Sequence, residues 1–139
     1  MMSILFTAKA TAVGGREGRV KSDDGVIDAK LVMPGSGSKE QGTNPEQLFA
    51  AGYSACFDGA LNLVARQASK KIDSTIHGEV SLMKDESDNG YKIGVVLNVE
   101  ISGVSQEEAE QLVHKAHEVC PYSKATRGNI DVKLNVTAK

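Results

Sequence analysis

The sequence has no long apolar run, almost no net charge and only two cysteines. Its formal charge of −2, from 16 basic and 18 acidic residues, gives no general electrostatic attraction to nucleic acid or to an anionic membrane. The longest apolar stretches are interrupted well before the ~20 residues that a membrane span needs, and the start lacks both a basic region and a long apolar one. We therefore expect no nucleic-acid partner, no membrane association and a cytoplasmic location.

The length and the composition are those of an ordinary globular domain. A chain of 139 residues can bury a hydrophobic core without structural metals or disulfide bonds. Hydrophobic residues make up 40% and charged residues 24% of the chain, which argues against disorder and against coiled-coil or collagen-like repeats. We predict a single domain over residues 1–139.

Alternating polar and apolar residues predict five strands. These strands cover Leu5–Val13, Val26–Met33, Ile76–Met83, Tyr91–Ile101 and Asp131–Val136. A loop over Pro34–Ser38 ends the second strand, and an Asn-Gly turn within Lys84–Gly90 joins the third strand to the fourth. With one helix before the third strand and another before the fifth, the order predicts an α+β fold with largely antiparallel sheets packed around two main helices.

The first helix is predicted from Pro45 to about Ala68. Asn44 is a good N-cap, Pro45 suits the first helical position, and Gln47 completes a capping-box pattern. Apolar residues cover about half of its circumference, which indicates a mostly buried helix. Its small residues either allow another backbone to approach closely, as in a second copy of the helix, or fill a crowded core; they are Ala50, Ala51, Gly52, Ser54, Ala55, Gly59 and Ala60.

The second helix is predicted to begin after Ser105 and to end at Cys120. Ser105 and Glu108 form the reciprocal Ser-x-x-Glu cap. Pro121 excludes the α conformation from the residue before it, so the helix stops there. Apolar residues recur on one helical face at Ala109, Leu112, Val113, Ala116, Val119 and Cys120.

The two cysteines are either inert packing residues or redox groups, and their settings differ. Cys56 lies mid-helix among apolar neighbours, where burial raises the pKa of a thiol. Cys120 lies at a helix C-terminus, where the helix dipole makes a thiolate less favourable by a few tenths to ~1 kcal/mol. A nucleophilic Cys56 therefore needs a nearby cation. Arg16 lies in a glycine-rich turn that could fold over a pocket, and the alternatives Arg19, Arg66 and Arg127 fit surface positions better, but the residues alone leave this choice open.

The histidines are weaker candidates for a functional site, either as metal ligands or as a catalytic base. The pattern His114-x-x-His117-x-x-Cys120 supplies three metal ligands at best and has no i, i+4 pair. We interpret both histidines as solvated surface residues and predict no metal site. His77, in a predicted strand, is interpreted as a surface or hydrogen-bonded residue and not as a catalytic base.

Four segments resemble the organic hydroperoxide resistance (Ohr) family, a branch of the OsmC superfamily. The two long ones, which contain the cysteines, are Asn44–Phe57 (NPEQLFAAGYSACF) and Val119–Val132 (VCPYSKATRGNIDV). Gly14–Gly18 (GGREG) and Ser22–Val26 (SDDGV) match the N-terminal pattern of the family. The resemblance covers nearly the whole chain and implies an OsmC-like fold.

The resemblance also implies a thiol peroxidase that uses no cofactor. By position, Cys56 corresponds to the peroxidatic cysteine and Cys120 to the resolving one. Arg16 corresponds to the cation that stabilises the thiolate, and Glu46 to the carboxylate that orients Arg16. The implied cycle oxidises Cys56 to a sulfenic acid and then to a Cys56–Cys120 disulfide, which a dithiol resets. Protein-bound dihydrolipoamide is the reductant that the family suggests.

Two hypotheses concern assembly and substrate. Glu46 and Cys56 are ten residues apart on one predicted helix, or ~15 Å, so a shared pocket needs a second subunit. We therefore expect an intertwined homodimer with composite sites, as the family pattern also suggests. The apolar residues Phe49, Tyr53 and Phe57 near Cys56 are expected to form a pocket that favours organic over inorganic peroxide. The alternative function is a non-enzymatic small-molecule binding protein of the same fold, with both cysteines as packing.

Overall fold

The computed structural model describes residues 2–139. The chain divides into two compact units, Met1–Pro45 and Glu46–Lys139. The single domain predicted over residues 1–139 stays a prediction. Each unit has its own three-stranded sheet, and all strand pairs but one are antiparallel. Together with the helices of the second unit, these sheets confirm the predicted α+β class.

The N-terminal unit is an antiparallel sheet with the strand order β1-β2-β3. Its strands are β1 (Ala10–Val13), β2 (Arg19–Ser22) and β3 (Asp28–Lys30). A 3-10 turn, Gly15–Glu17, joins β1 to β2. Gly18 follows this turn and has no room for a side chain, because a Cβ there would lie 1.7 Å from the carbonyl oxygen of Val13. The tightness of the turn therefore explains its glycine-rich sequence.

The strands of this unit differ from the predicted ones. Only the last four residues of Leu5–Val13 and the middle of Val26–Met33 are strands. No described strand lies beside residues 5–9, and an alternating pattern by itself does not supply a pairing partner. β2 is not among the predicted strands, because four residues that include two charges give little apolar pattern.

The C-terminal unit contains the helices and the second sheet. Its elements are α1 (Pro45–Gln67), β4 (Asp73–Asp85), β5 (Gly90–Ser102), α2 (Gln106–Val119), α3 (Pro121–Thr126) and β6 (Val132–Ala138). β4 and β5 form a long antiparallel hairpin, and β6 lies parallel to β5, so the sheet order is β4-β5-β6. The helix pair α2 and α3 provides the crossover connection that a parallel pair needs.

Both predicted helices are confirmed, and so is the capping box of α2. The Ser105 side chain accepts a hydrogen bond from the Glu108 backbone N–H, and the Glu108 carboxylate accepts one from the Ser105 backbone N–H. Lys70 forms an ion pair with the same carboxylate and, together with the cap, lowers the pKa of Glu108 to about 2. α1 begins at Pro45 as predicted, while the capping roles of Asn44 and Gln47 stay predictions.

The hydrophobic core of the C-terminal unit lies between α1, α2 and the sheet. Its largest fully buried apolar side chains are Tyr53, Phe57, Leu61, Leu97, Val99, Ile101 and Val113. The small residues of α1 have a partner within this unit. A Cβ on Gly78 of β4 would lie 2.3 Å from the Ser54 Oγ and 3.2 Å from the carbonyl oxygen of Ala50. Strand β4 is thus one backbone whose close approach these small residues allow.

By length and composition, α1 would also pass as a helix able to cross a membrane, contrary to the expectation from the sequence. Its residues Tyr53, Phe57 and Leu61 are fully buried in the core. Core helices of folded domains commonly have this composition, because a helix that is apolar around most of its surface is covered by the rest of the domain.

Candidate active site

The fold brings the two cysteines together from opposite ends of the C-terminal unit's sequence. Both are free thiols, Cys56 half-buried on α1 and Cys120 buried at the end of α2. The Cys56 and Cys120 sulfurs lie 3.7 Å apart, within hydrogen-bonding distance of each other. A disulfide has an S–S distance of about 2 Å, so a movement of less than about 2 Å would join the pair.

Cys120 occupies the junction between two helices. Its backbone is extended (φ −66°, ψ 125°), and its N–H still bonds to the Ala116 carbonyl in the last turn of α2. Pro121 ends α2 as predicted and also starts α3, because a proline suits the first position of a helix. The short helix α3 is absent from the sequence prediction, although Pro121 was a local signal for it.

The surroundings of Cys56 favour its neutral thiol. Burial raises the pKa of Cys56, and the neighbouring Cys120 raises it further through its hydrogen bond and its charge. A hydrogen bond from the Tyr122 backbone N–H lowers the pKa of Cys56, but by less than burial and Cys120 together raise it. The expected effect of burial on this thiol is therefore confirmed, and a reactive thiolate at neutral pH requires an additional positive charge.

Tyr122 is a site residue that the sequence analysis did not single out. Its backbone bonds to Cys56, and its ring packs 5.7 Å from that of Tyr53 and 5.9 Å from that of Phe49. Gly52 leaves space for this ring, because a Cβ at position 52 would lie 2.9 Å from the Tyr122 Oη. Tyr122 follows Pro121 inside the resembling segment, but only the fold shows that its ring packs against Phe49 and Tyr53 of α1.

The three predicted pocket residues differ in how deeply they are buried. Phe49 is partly buried, whereas Tyr53 and Phe57 are fully buried in the core. Phe49 and Tyr53 contact each other edge to face, with ring centroids 6.2 Å apart. With Tyr122, these two rings form an aromatic cluster one to two helical turns from Cys56 on α1. The role of Phe49, Tyr53 and Phe57 in binding substrate stays a prediction.

Arg16 and Glu46 lie on different elements, and only Glu46 shares an element with one of the cysteines. Arg16 is the middle residue of the 3-10 turn in the N-terminal unit. Glu46 lies in the first turn of α1, ten residues before Cys56, which corresponds to about 15 Å along the helix axis. Both residues therefore lie on one helix, as predicted. The joint action of Arg16 and Glu46 on Cys56 stays a prediction.

Two of the three histidines lie at the surface, as predicted, and the third does not. His114 is largely exposed, as predicted. His77 also lies at the surface, where it pairs with Glu100 at 3.5 Å. His117 is not a solvated surface residue: it is half-buried, and its Nδ1 lies 2.8 Å from the Ser123 Oγ. Burial first, then the charges of Arg127 and His114, lower the pKa of His117. Sequence spacing could not show this contact, because Ser123 belongs to the unpredicted helix α3.

The chain is similar to known proteins of one family, both in sequence and in fold. A family model described as OsmC-like protein matches residues 35–135. The organic hydroperoxide resistance protein OhrB of Bacillus subtilis (strain 168) is 62% identical over 133 residues, which cover 95% of this chain and 98% of that protein. OhrA of the same organism is 58% identical over 139 residues, and the match covers 98% of this chain and 99% of OhrA. The crystal structure of OhrB has a TM-score of 0.94 at 61% identity and covers 96% of this chain and 100% of that one.

Proposed function

Since the chain belongs to the OsmC family and, within it, to the organic hydroperoxide resistance proteins, we propose that it acts in organic hydroperoxide resistance as a cysteine-based peroxidase. The observation that carries this proposal is the 3.7 Å separation of the Cys56 and Cys120 sulfurs. Two reduced thiols this close, one half-buried and one buried, match what a peroxidatic and a resolving cysteine need.

The proposed reaction uses only the side chains of the protein and a dithiol. The Cys56 thiolate attacks one peroxide oxygen, the O–O bond breaks, and the leaving alkoxide takes a proton to become an alcohol. Cys56 is now a sulfenic acid. The Cys120 sulfur then attacks the Cys56 sulfur, an S–S bond replaces the S–O bond, and water leaves with the thiol proton. A dithiol such as protein-bound dihydrolipoamide reduces the disulfide and is itself oxidised to a disulfide.

Arg16 is proposed as the cation that offsets the unfavourable burial of the Cys56 thiolate. A guanidinium is always charged and can bond both a thiolate and a peroxide oxygen. Glu46 is proposed to orient that guanidinium. Each unit by which Arg16 lowers the pKa of Cys56 corresponds to ~1.4 kcal/mol of thiolate stabilisation.

A homodimer with composite sites is proposed as the active unit. Glu46 is about 15 Å from Cys56 along the same helix, so a Glu46 that orients Arg16 beside Cys56 comes most simply from a second chain. The segment before β1 also presents Ile4, Leu5 and Phe6 almost fully exposed in the single chain. Contiguous exposed apolar side chains of this size are typical of surfaces that another chain covers. We place this dimer in the cytoplasm, where its thiols can be kept reduced.

Substrate preference tests the proposed activity. We expect cumene hydroperoxide and a fatty acid hydroperoxide to be reduced far more efficiently than hydrogen peroxide. Each buried methylene is worth ~0.8 kcal/mol, so burial of four carbon groups favours the organic substrate by about a hundredfold or more. Measuring kcat/KM for the three peroxides with dihydrolipoamide as reductant gives this ratio. Equal efficiencies would reject the preference, and the absence of turnover with an unreactive Cys56 would favour the non-enzymatic binding protein.

A further inference from the structure

The Ser123 hydroxyl joins three helices at one buried point. Its Oγ lies 2.8 Å from the Tyr53 hydroxyl on α1 and 2.8 Å from the His117 Nδ1 on α2, while Ser123 itself belongs to α3. Tyr53 has a second, longer contact of 3.4 Å with the Thr126 hydroxyl. We call Tyr53, Ser123 and His117 the hydroxyl relay.

Burial makes these hydrogen bonds costly to lose. Tyr53 and Ser123 are fully buried. A buried hydroxyl that loses its partner keeps the full desolvation penalty, which is why buried polar groups are almost always paired. No buried side-chain nitrogen or oxygen in residues 2–139 lacks a partner. The relay therefore links the three helices through specific, directional contacts and not only through apolar packing.

Each residue of the relay lies three positions from a cysteine in the sequence. Tyr53 lies three residues before Cys56, and His117 lies three residues before Cys120. Ser123 lies three residues after Cys120, so each relay residue is about one helical turn from a cysteine. The hydroxyl of Ser123 thus connects the helix that carries Cys56 to both helices that meet at Cys120.

A neutral His117 ring that carries its proton on Nε2 fits the relay. Burial, the guanidinium of Arg127 beside α3 and the neighbouring His114 of α2 all lower the pKa of His117. The neutral ring can accept at Nδ1 the O–H of Ser123, whose oxygen in turn accepts the O–H of Tyr53. Both hydroxyl protons then have an acceptor within the relay, without the longer contact to Thr126.

On the basis of the proposed peroxidase function, we propose that the hydroxyl relay positions Cys120 for the second chemical step, the attack on the oxidised Cys56. In that step the Cys120 sulfur forms the S–S bond, the S–O bond of the sulfenic acid breaks, and water leaves. Attack of this kind is fast only when the reacting atoms are held about 3–3.5 Å apart in the correct orientation. The relay residues act through Cys120 and the helix ends and are not catalytic residues themselves.

The experiment separates the two steps in one mixing reaction. Reduced protein is mixed with one equivalent of cumene hydroperoxide and quenched at intervals with a 1,3-dicarbonyl reagent that traps sulfenic acid. Mass spectrometry then gives the fractions of thiol, trapped sulfenic acid and disulfide. For Ser123→Ala and His117→Leu we expect thiol loss at nearly the wild-type rate, but disulfide formation about tenfold slower, as for the loss of one net hydrogen bond. Tyr53→Phe is expected to slow disulfide formation as well.

Two matched variants show whether positioning or general loosening is responsible. His117→Asn has nearly the size of His117→Leu but supplies an acceptor near the Nδ1 position, and it is expected to restore fast disulfide formation. Ser74→Ala removes a hydroxyl that donates to Asp58 of α1 at 2.5 Å and that belongs to no hydrogen bond of the relay. We expect this control to form the disulfide at the wild-type rate.

If folded Ser123→Ala and Tyr53→Phe formed the disulfide at the wild-type rate, the positioning role would be overturned. Equal slowing in Ser74→Ala, or no difference between His117→Asn and His117→Leu, would also overturn it. A wild-type protein that forms neither sulfenic acid nor disulfide would instead contradict the proposed function. The two failures are therefore distinguishable within the same experiment.

Discussion

Replacement of Cys56 with serine is expected to reduce the turnover of organic hydroperoxides to the uncatalysed background. A serine hydroxyl has the shape of the thiol and is slightly smaller, but it has no sulfur that peroxide can oxidise, so neither the sulfenic acid nor the disulfide can form. Peroxide consumption with dihydrolipoamide as the reductant measures the loss, and circular dichroism checks that the variant remains folded.

Cys120→Ser is the matched control for this prediction. It keeps Cys56 and removes only the resolving sulfur, which lies 3.7 Å away. We expect this variant to consume one equivalent of hydroperoxide and to accumulate a trappable sulfenic acid without a disulfide. Undiminished turnover in Cys56→Ser would show that another group carries the reaction.

Replacement of Arg16 with alanine is expected to lower kcat/KM at neutral pH by about a hundredfold or more. Burial and Cys120 raise the pKa of Cys56, so without the arginine the thiol is mostly neutral at pH 7. Two pKa units of lost thiolate stabilisation correspond to about a hundredfold in thiolate population. The rate of the variant should rise steeply toward alkaline pH, because the reactive form is the thiolate, whereas the wild-type rate should already be level near neutrality.

Arg19→Ala is the control for a general effect of positive charge in the N-terminal unit. Arg19 belongs to β2 and pairs at the surface with Asp28 at 2.7 Å. Its removal is expected to leave the pH profile unchanged. An Arg16→Ala variant with the wild-type profile would contradict the assignment of Arg16 as the stabilising cation.

Mixing inactive variants tests whether Arg16 and Cys56 of one site come from different chains. In a mixed dimer of Arg16→Ala and Cys56→Ser, a composite site would combine the intact Arg16 of one chain with the intact Cys56 of the other. Equal mixing gives half mixed dimers, each with one complete site, so about a quarter of wild-type activity is expected. A mixture of Cys56→Ser and Cys120→Ser should stay inactive, because both cysteines of a site belong to one chain. No recovery in the first mixture would refute the composite site.

The helices could be predicted from the sequence because their signals are local. Pro45 sets the start of α1, Ser105 and Glu108 form the cap of α2, and Pro121 fixes its end. Each signal depends on residues within one turn of chain. The strand β2 and the helix α3 were missed because four and six residues are too few for a clear periodic pattern.

The site could be predicted only in part. The two motifs indicated Cys56 and Cys120 through a family resemblance, but their contact spans 64 residues and no local rule gives such a distance. Tyr122 and the pairing of His117 with Ser123 depend on how α3 lies against α1 and α2. The sequence alone indicated a solvated surface position for His117, whereas packing decides that it is half-buried and hydrogen-bonded.

The most direct test of the account is the product of a single turnover. Reduced protein is given one equivalent of cumene hydroperoxide without reductant, and peptides are mapped under non-reducing conditions. We expect both thiols to disappear, one equivalent of cumyl alcohol to form, and the peptides of Cys56 and Cys120 to be joined by a disulfide. Two unmodified thiols after this treatment, or alcohol formed with no oxidation of Cys56, would contradict the account.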